Sequence, residues 1–170
     1  MDLTEHIRDI PDFPKQGIIF KDITPLLMHP LAFEEAVNRF YEYFKDKDVT
    51  KVVAIESRGF IFGGPLSLKL NAGFVPVRKP GKLPFKTRRR EYALEYGTDA
   101  LEIHTDGVCS DERALIIDDL LATGGTAEAT AKLIEQCGGV VVGFGFVIEL
   151  TFLDGIAKLK DYDVLSLIKY

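Results

Sequence analysis

Apolar positions recur along this chain with two distinct patterns. Phe33, Ala36, Val37, Phe40, Tyr41 and Phe44 fall at helical spacing, which predicts an amphipathic helix over 31–45. Predominantly apolar stretches at 52–55, 74–77, 114–118, 140–150 and 164–168 predict buried strands. After the first run, Glu56-Ser57-Arg58-Gly59 makes a turn and 60–70 a helix. After the third, Ala127, Thr130, Ala131 and Ile134 return to helical spacing, and Gly138-Gly139 ends that helix. The N-terminus predicts a short helix at 3–9. Pro11, Pro14 and Gly17 then break the chain and leave Ile18, Ile19 and Phe20 in an irregular segment. Around Gly97, segments 92–96 and 101–104 read as a hairpin. Strands alternating with helices imply an α/β fold, with a parallel β-sheet core flanked by helices on both faces. With no linker or internal repeat, 1–170 is expected to form one domain. Ligands in such sheets bind at the carboxyl ends of strands, here after Ile55, Val77 and Ile117.

Composition narrows the chemistry. No run of about 18 apolar residues exists to cross a membrane, and the first ten residues lack the apolar core of a secretory signal. The two cysteines, Cys109 and Cys137, have no metal-ligand spacing and read as reduced thiols of a cytoplasmic protein. The three histidines are scattered, which argues against a zinc site or a nucleophile–histidine pair. A net charge of -5 argues against nucleic-acid binding. Its distribution is uneven: Arg78, Lys79, Lys82, Lys86, Arg88, Arg89 and Arg90 form a basic run without an acidic residue. The remaining 14 basic and 26 acidic residues leave the rest of the chain at -12. A basic loop on an acidic body suits a small polyanion.

The third apolar run carries the most information. It delivers Asp118 and Asp119, then the small-residue turn Ala122-Thr123-Gly124-Gly125-Thr126, then a helix. A strand, a tight turn and a helix N-terminus form a phosphate cradle, because free backbone N–H groups and the helix dipole both favour an anion. A nucleotide-triphosphate loop would need lysine where Thr126 follows Gly125. Gly143 and Gly145 begin a dinucleotide-like pattern, but Ile148 stands in place of the third glycine.

The acidic pair with its Thr-Gly-Gly-Thr turn resembles the phosphoribosyl pyrophosphate signature of type I phosphoribosyltransferases. Glu56-Ser57-Arg58-Gly59-Phe60 resembles the pyrophosphate loop of the adenine branch. Val77-Arg78-Lys79-Pro80-Gly81-Lys82-Leu83-Pro84 is similar to the start of its mobile loop, and Glu91-Tyr92-Ala93-Leu94-Glu95-Tyr96-Gly97 to its end. The segment from Phe13 to Pro25 resembles the hood that holds the base, placed within 1–30.

The resemblance implies purine salvage: adenine and phosphoribosyl pyrophosphate give AMP and pyrophosphate, with inversion at the anomeric carbon. It implies that Ala122, Thr123, Gly124, Gly125 and Thr126 bind the 5′-phosphate, and that Asp118 and Asp119 bind the ribose hydroxyls. Arg58, with the backbone at Ser57, would hold pyrophosphate together with Arg78, Lys79 and Lys82. A cis peptide is expected at Ser57-Arg58. Glu95 would transfer a proton on the base and Tyr96 would pack over the substrates. Ile19 and Lys21 would offer backbone contacts to the purine edge, with Phe20 against its face; many relatives carry arginine where this chain has Lys21. Magnesium would arrive with the substrate, without direct protein ligands, and the chain would form a homodimer. Two alternatives stay open: a phosphoribosyltransferase for hypoxanthine, guanine or xanthine, and a non-catalytic sensor of phosphoribosyl pyrophosphate. The chain's length and net negative charge leave no room for the DNA-binding domain that such a sensor usually carries. The stretch 86–90 is more basic than that loop requires.

Overall fold

The computed structural model, described over residues 1–93 and 97–170, is built on five parallel strands. In chain order they are β3 (Lys51–Ile55), β4 (Gly73–Val77), β7 (Arg113–Leu121), β8 (Val140–Glu149) and β9 (Val164–Lys169). They lie in the spatial order β4-β3-β7-β8-β9, so the chain winds outward in both directions from β3 and β7. That pair is the topological switch point, where a crevice opens between connections leaving on opposite faces.

Alternation along each strand supplies the two cores. Val53, Ile55 and Ile116 face one side, where they meet α4 (Gly125–Gln136). Val52, Leu115 and Ile117 face the other, against α1 (Thr24–Met28), α2 (Pro30–Phe44) and α3 (Arg58–Lys69). Phe40 and Phe44 from α2 and Phe62 from α3 are fully buried there. Helices on both faces bear out the predicted fold class, and α2 and the five strands fall close to their predicted places.

Five local expectations are corrected. The predicted N-terminal helix is a single 3-10 turn, Leu3–His6, and the chain then forms β1 (Arg8–Pro11). The segment expected to be irregular contributes β2 (Ile19–Asp22), antiparallel to β1. Arg8 bonds Asp22 and Lys21 bonds Asp9 across this hairpin, so charge pairing fixes a register that its short, exposed strands do not announce. Next, β7 runs beyond the acidic pair to Leu121, because β8 continues beside it while β3 stops at Ile55. Both site helices begin two residues earlier than expected, at Arg58 and Gly125. Finally, the second hairpin is β5 (Thr87–Ala93) with β6 (Thr98–His104), so the basic stretch is itself a strand. Every second residue of β5, Arg88, Arg90 and Tyr92, lies on one face of the strand. The Arg90 charge reaches Glu135 on α4, and Arg88 lies against Cys137 at its end. Arg88 and Arg90 thus lie on the α4 side of the hairpin, while Arg89 pairs with Glu91.

Candidate active site

The crevice at the switch point is a cleft of about 420 Å³. One wall is the turn after β3, the floor is the overhanging end of β7, and Lys79 and Tyr92 close the opposite side. Because β7 outruns β3, residues 118–121 pair only with β8 and leave one flank toward the cleft.

Asp118 and Asp119 are held tightly. The Asp119 N–H donates to Asp118 Oδ1 at 2.8 Å, and Arg58 Nε donates to Asp119 Oδ2 at 2.5 Å. The Asp119 side chain is only 9% exposed, whereas that of Arg58 is 46% exposed and presents its remaining guanidinium to the cleft. Burial pushes the Asp118 carboxyl well above the ordinary carboxylate value, and the adjacent Asp119 charge adds to this. The first turn of α3 comes unusually near: a Cβ on Gly59 would lie 2.8 Å from the Ile117 carbonyl oxygen. Only glycine lets Arg58 stand this close to the acidic pair.

The expected non-proline cis peptide is present, but between Glu56 and Ser57 rather than at Ser57-Arg58. The helix already includes Arg58, so the chain completes its turn one residue earlier. Glu56 accepts bonds from Arg78 Nε at 2.7 Å and from the Lys79 N–H at 3.1 Å. Lys79 Nζ in turn donates to Asp99 Oδ2 at 2.5 Å. Arg58 and Lys79 thus line the cleft and Arg78 bonds the lining Glu56, each of the three cations gripped by a carboxylate. Lys82 is exposed on the loop, and neither the residues lining the cleft nor the ion pairs among the described residues include it.

Ala122, Thr123, Gly124 and Thr126 line a hollow of about 80 Å³ that shares Asp118 with the main cleft. Gly124 is left-handed, with φ 79°, and α4 starts immediately after it. A Cβ on Gly124 would lie 2.4 Å from the Gly155 carbonyl oxygen, and a Cβ on Gly155 would lie 2.2 Å from that of Ala122. The cradle is thus braced, backbone on backbone, by the 3-10 turn Gly155–Leu159. Free N–H groups at the start of α4 face an anion-sized space.

The β1–β2 hairpin approaches the cleft at Arg58. The Phe20 ring lies 5.7 Å from the Arg58 guanidinium and packs edge-on against Phe13. Ile19 is more than half exposed. The Lys21 side chain bonds Asp9 at 2.7 Å and covers the Tyr170 ring. Its ammonium is thereby engaged within the hairpin and by the C-terminal tyrosine. Glu95 and Tyr96 lie outside the described residues.

Four contributors escaped the sequence reading. Glu56 stood in a recognised motif without a role, and Tyr92 read only as a hairpin residue. Asp99 and Gly155 carry no sequence signal of their own, because what matters is what they touch across the fold.

The chain matches the family model described as the phosphoribosyl transferase domain over residues 26–165. It is 57% identical to the adenine phosphoribosyltransferase of Maridesulfovibrio salexigens, over 99% of either chain. Among solved structures, the adenine phosphoribosyltransferase of Thermoanaerobacter pseudethanolicus superposes with a TM-score of 0.96 at 54% identity, covering 99% of this chain and 98% of that one. The Saccharomyces cerevisiae enzyme, solved with an imino-altritol bisphosphate and adenine, gives 0.92 at 39% identity, covering 97% of this chain and 96% of that one.

Proposed function

This chain belongs to the phosphoribosyl transferase family, and from that membership we propose how its cleft works. It is an adenine phosphoribosyltransferase, a pentosyl transferase of purine salvage that joins adenine to phosphoribosyl pyrophosphate and yields AMP and pyrophosphate. The observation that carries the assignment of its site is the set of groups around the cleft. A backbone cradle shares Asp118 with the cleft, Asp118 and Asp119 line it, and so do the cations Arg58 and Lys79, with Arg78 bonded to the lining Glu56; these groups suit the 5′-phosphate, ribose and pyrophosphate in turn.

In this reading the N–H groups of 122–126, with the hydroxyls of Thr123 and Thr126, bind the 5′-phosphate. Asp118 and Asp119 accept hydrogen bonds from the ribose 2′- and 3′-hydroxyls. They also oppose the positive charge that develops on the sugar as the anomeric bond breaks. Arg58, Arg78 and Lys79, with the backbone at Ser57, hold the leaving pyrophosphate, and Lys82 joins them from the exposed loop. Catalysis is then positioning and electrostatics, with the base attacking from the face opposite the leaving group. Ile19 and Lys21 offer backbone groups to the purine edge and Phe20 its ring. Glu95, as the proton-transfer group, and Tyr96, as a cover over the substrates, rest on the family resemblance alone.

The hard carboxylate oxygens of Asp118 and Asp119, beside a place for substrate phosphates, suit magnesium, which favours one or two carboxylates together with phosphate oxygens. When bound, magnesium neutralises pyrophosphate charge. The two aspartates would hold it through the ribose hydroxyls and water rather than as a protein cage.

Residues 1–170 act as one domain, with 1–30 as the hood, in the cytoplasm and without nucleic-acid or membrane partners. No described helix is long and apolar enough to cross a membrane. A homodimer is favoured by exposed apolar side chains on α3 and the edge strand β4, namely Ile61, Leu68 and Phe74. The test is to incubate the protein with magnesium, phosphoribosyl pyrophosphate and each purine in turn. AMP from adenine alone is expected; a different nucleotide in its place overturns the base assignment.

A further inference from the structure

A chain of four side chains crosses the cleft from its cationic end to its phosphate cradle. Lys79 Nζ donates to Asp99 Oδ2 at 2.5 Å, and the Tyr92 hydroxyl donates to the same oxygen at 3.4 Å. The Thr126 hydroxyl then donates to the Tyr92 oxygen, again at 3.4 Å. The other Asp99 oxygen accepts the Ala100 N–H at 2.8 Å, so three donors fix this carboxylate. The Tyr92 ring packs into the core on the α4 side, and a Cβ on Gly125 would lie 3.3 Å from it. Two hairpin residues thus connect a loop lysine to the helix that carries the cradle.

The way each cation is gripped indicates a purpose. Arg58 and Arg78 are each bonded through Nε, the side of the guanidinium, which leaves the terminal nitrogens out of those two bonds. Lys79 donates to Asp99 with one of its three N–H groups and keeps two for a ligand. A lysine on an exposed loop otherwise samples many rotamers, and a ligand must bear the cost of ordering it. Asp99 removes that disorder before the ligand arrives.

We infer that Asp99 and Tyr92 are positioning residues for the leaving pyrophosphate, Asp99 by aiming the Lys79 ammonium into the cleft and Tyr92 by tying that carboxylate to Thr126 of the cradle. The two ends that grip the substrate are thereby held at a set separation. This rests on the assignment of the cationic end to pyrophosphate. Lys79 is 55% exposed, so the ion pair adds little to folding, and its effect belongs in ligand binding.

The test uses two near-isosteric variants, Asp99→Asn and Tyr92→Phe, and equilibrium titration with magnesium pyrophosphate and with AMP. Asp99→Asn is expected to weaken pyrophosphate by about five- to tenfold, the size of one hydrogen bond, and to leave AMP within about twofold. Tyr92→Phe is expected to weaken both ligands by about threefold, a smaller effect because its bonds are longer. In steady state, Asp99→Asn raises the KM for phosphoribosyl pyrophosphate while the KM for adenine stays unchanged. Unchanged pyrophosphate binding in Asp99→Asn overturns the inference. So does an equal loss of pyrophosphate, AMP and melting temperature, which would mark a folding defect. Because titration needs no turnover, a wild-type protein that binds both ligands but makes no AMP removes the assigned reaction and leaves this test intact.

Discussion

Gly155→Ala is the sharpest perturbation of the cradle, because residue 155 lines neither the cleft nor the hollow beside it. Gly155 is not among the residues with positive φ, so alanine meets no conformational barrier there and the effect is steric. Its Cβ would lie 2.2 Å from the Ala122 carbonyl oxygen and 2.9 Å from the Gly124 nitrogen. Both neighbours are backbone and cannot rotate away, so the two segments must part by roughly 1 Å to reach van der Waals contact. Overpacking of this kind costs about 1–3 kcal/mol, a fall of roughly 2–12 °C in melting temperature for a chain of this size. The greater loss falls on activity, since a displacement of roughly 1 Å in a binding group can lower turnover by about 100-fold. The assay is steady-state AMP formation with phosphoribosyl pyrophosphate varied, beside a thermal melt. Gly64→Ala is the control: a Cβ there meets nothing within 4 Å, and the variant should be active. A Gly155→Ala enzyme with wild-type turnover and KM would refute the idea that this contact sets the cradle.

Three further outcomes follow from the geometry. Arg58→Ala should lower turnover by about 10²–10³-fold while the protein stays folded, with a melt reduced by a few degrees as Asp119 loses its partner; an unchanged rate would remove Arg58 from the mechanism. Burial, then the Asp119 charge, raise the Asp118 carboxyl above its unfolded value, so its stabilising contribution is present below about pH 3.9 and is lost as the pH rises toward the folded value. Asp118→Asn should therefore melt higher than wild type at pH 7, with the gap closing near pH 4, and should be inactive; a lower melt at pH 7 would contradict this. Asp22 shows the opposite sign: the Thr24 hydroxyl and N–H, with Arg8, hold it down to about 2, so its stabilisation is present above the unfolded value and is lost as the pH falls through about 2. Asp22→Asn should cost about 1–2 kcal/mol at pH 7, and melts of the two proteins between pH 2 and 7 should converge at the acid end.

The parts of the fold that could be read from the chain are those whose signal is local. The five core strands are apolar because both their faces are covered, and α2 repeats its apolar positions for three turns. The hairpins were harder for a common reason. The strands β1 and β2 are short and largely exposed, and their register comes from the Arg8–Asp22 and Lys21–Asp9 pairs, which only the folded chain brings together. Residues 87–90 look like a solvated charge run, yet they pair with β6, and Arg88 and Arg90 lie on the α4 side. At the site, Asp118, Asp119 and the turn 122–126 were legible because strand, turn and helix are contiguous there. Gly155 lies some thirty residues beyond the turn it braces, and Asp99 some twenty beyond the lysine it holds. No spacing rule connects them.

The three gripped cations also bear on what the cleft ignores. Arg58, Arg78 and Lys79 are matched one to one by Asp119, Glu56 and Asp99. With no ligand bound, this end of the cleft is nearly neutral instead of a bare positive trap. A passing polyanion gains little from long-range attraction and must instead exchange with carboxylates already in place, contact by contact. Entry then resembles ion exchange on a shaped resin more than electrostatic capture. Selectivity falls to the ligand whose phosphates fit the N–H groups that these cations keep outside their carboxylate bonds. Among competing nucleotides and nucleic acids, such a site stays open for its own substrate.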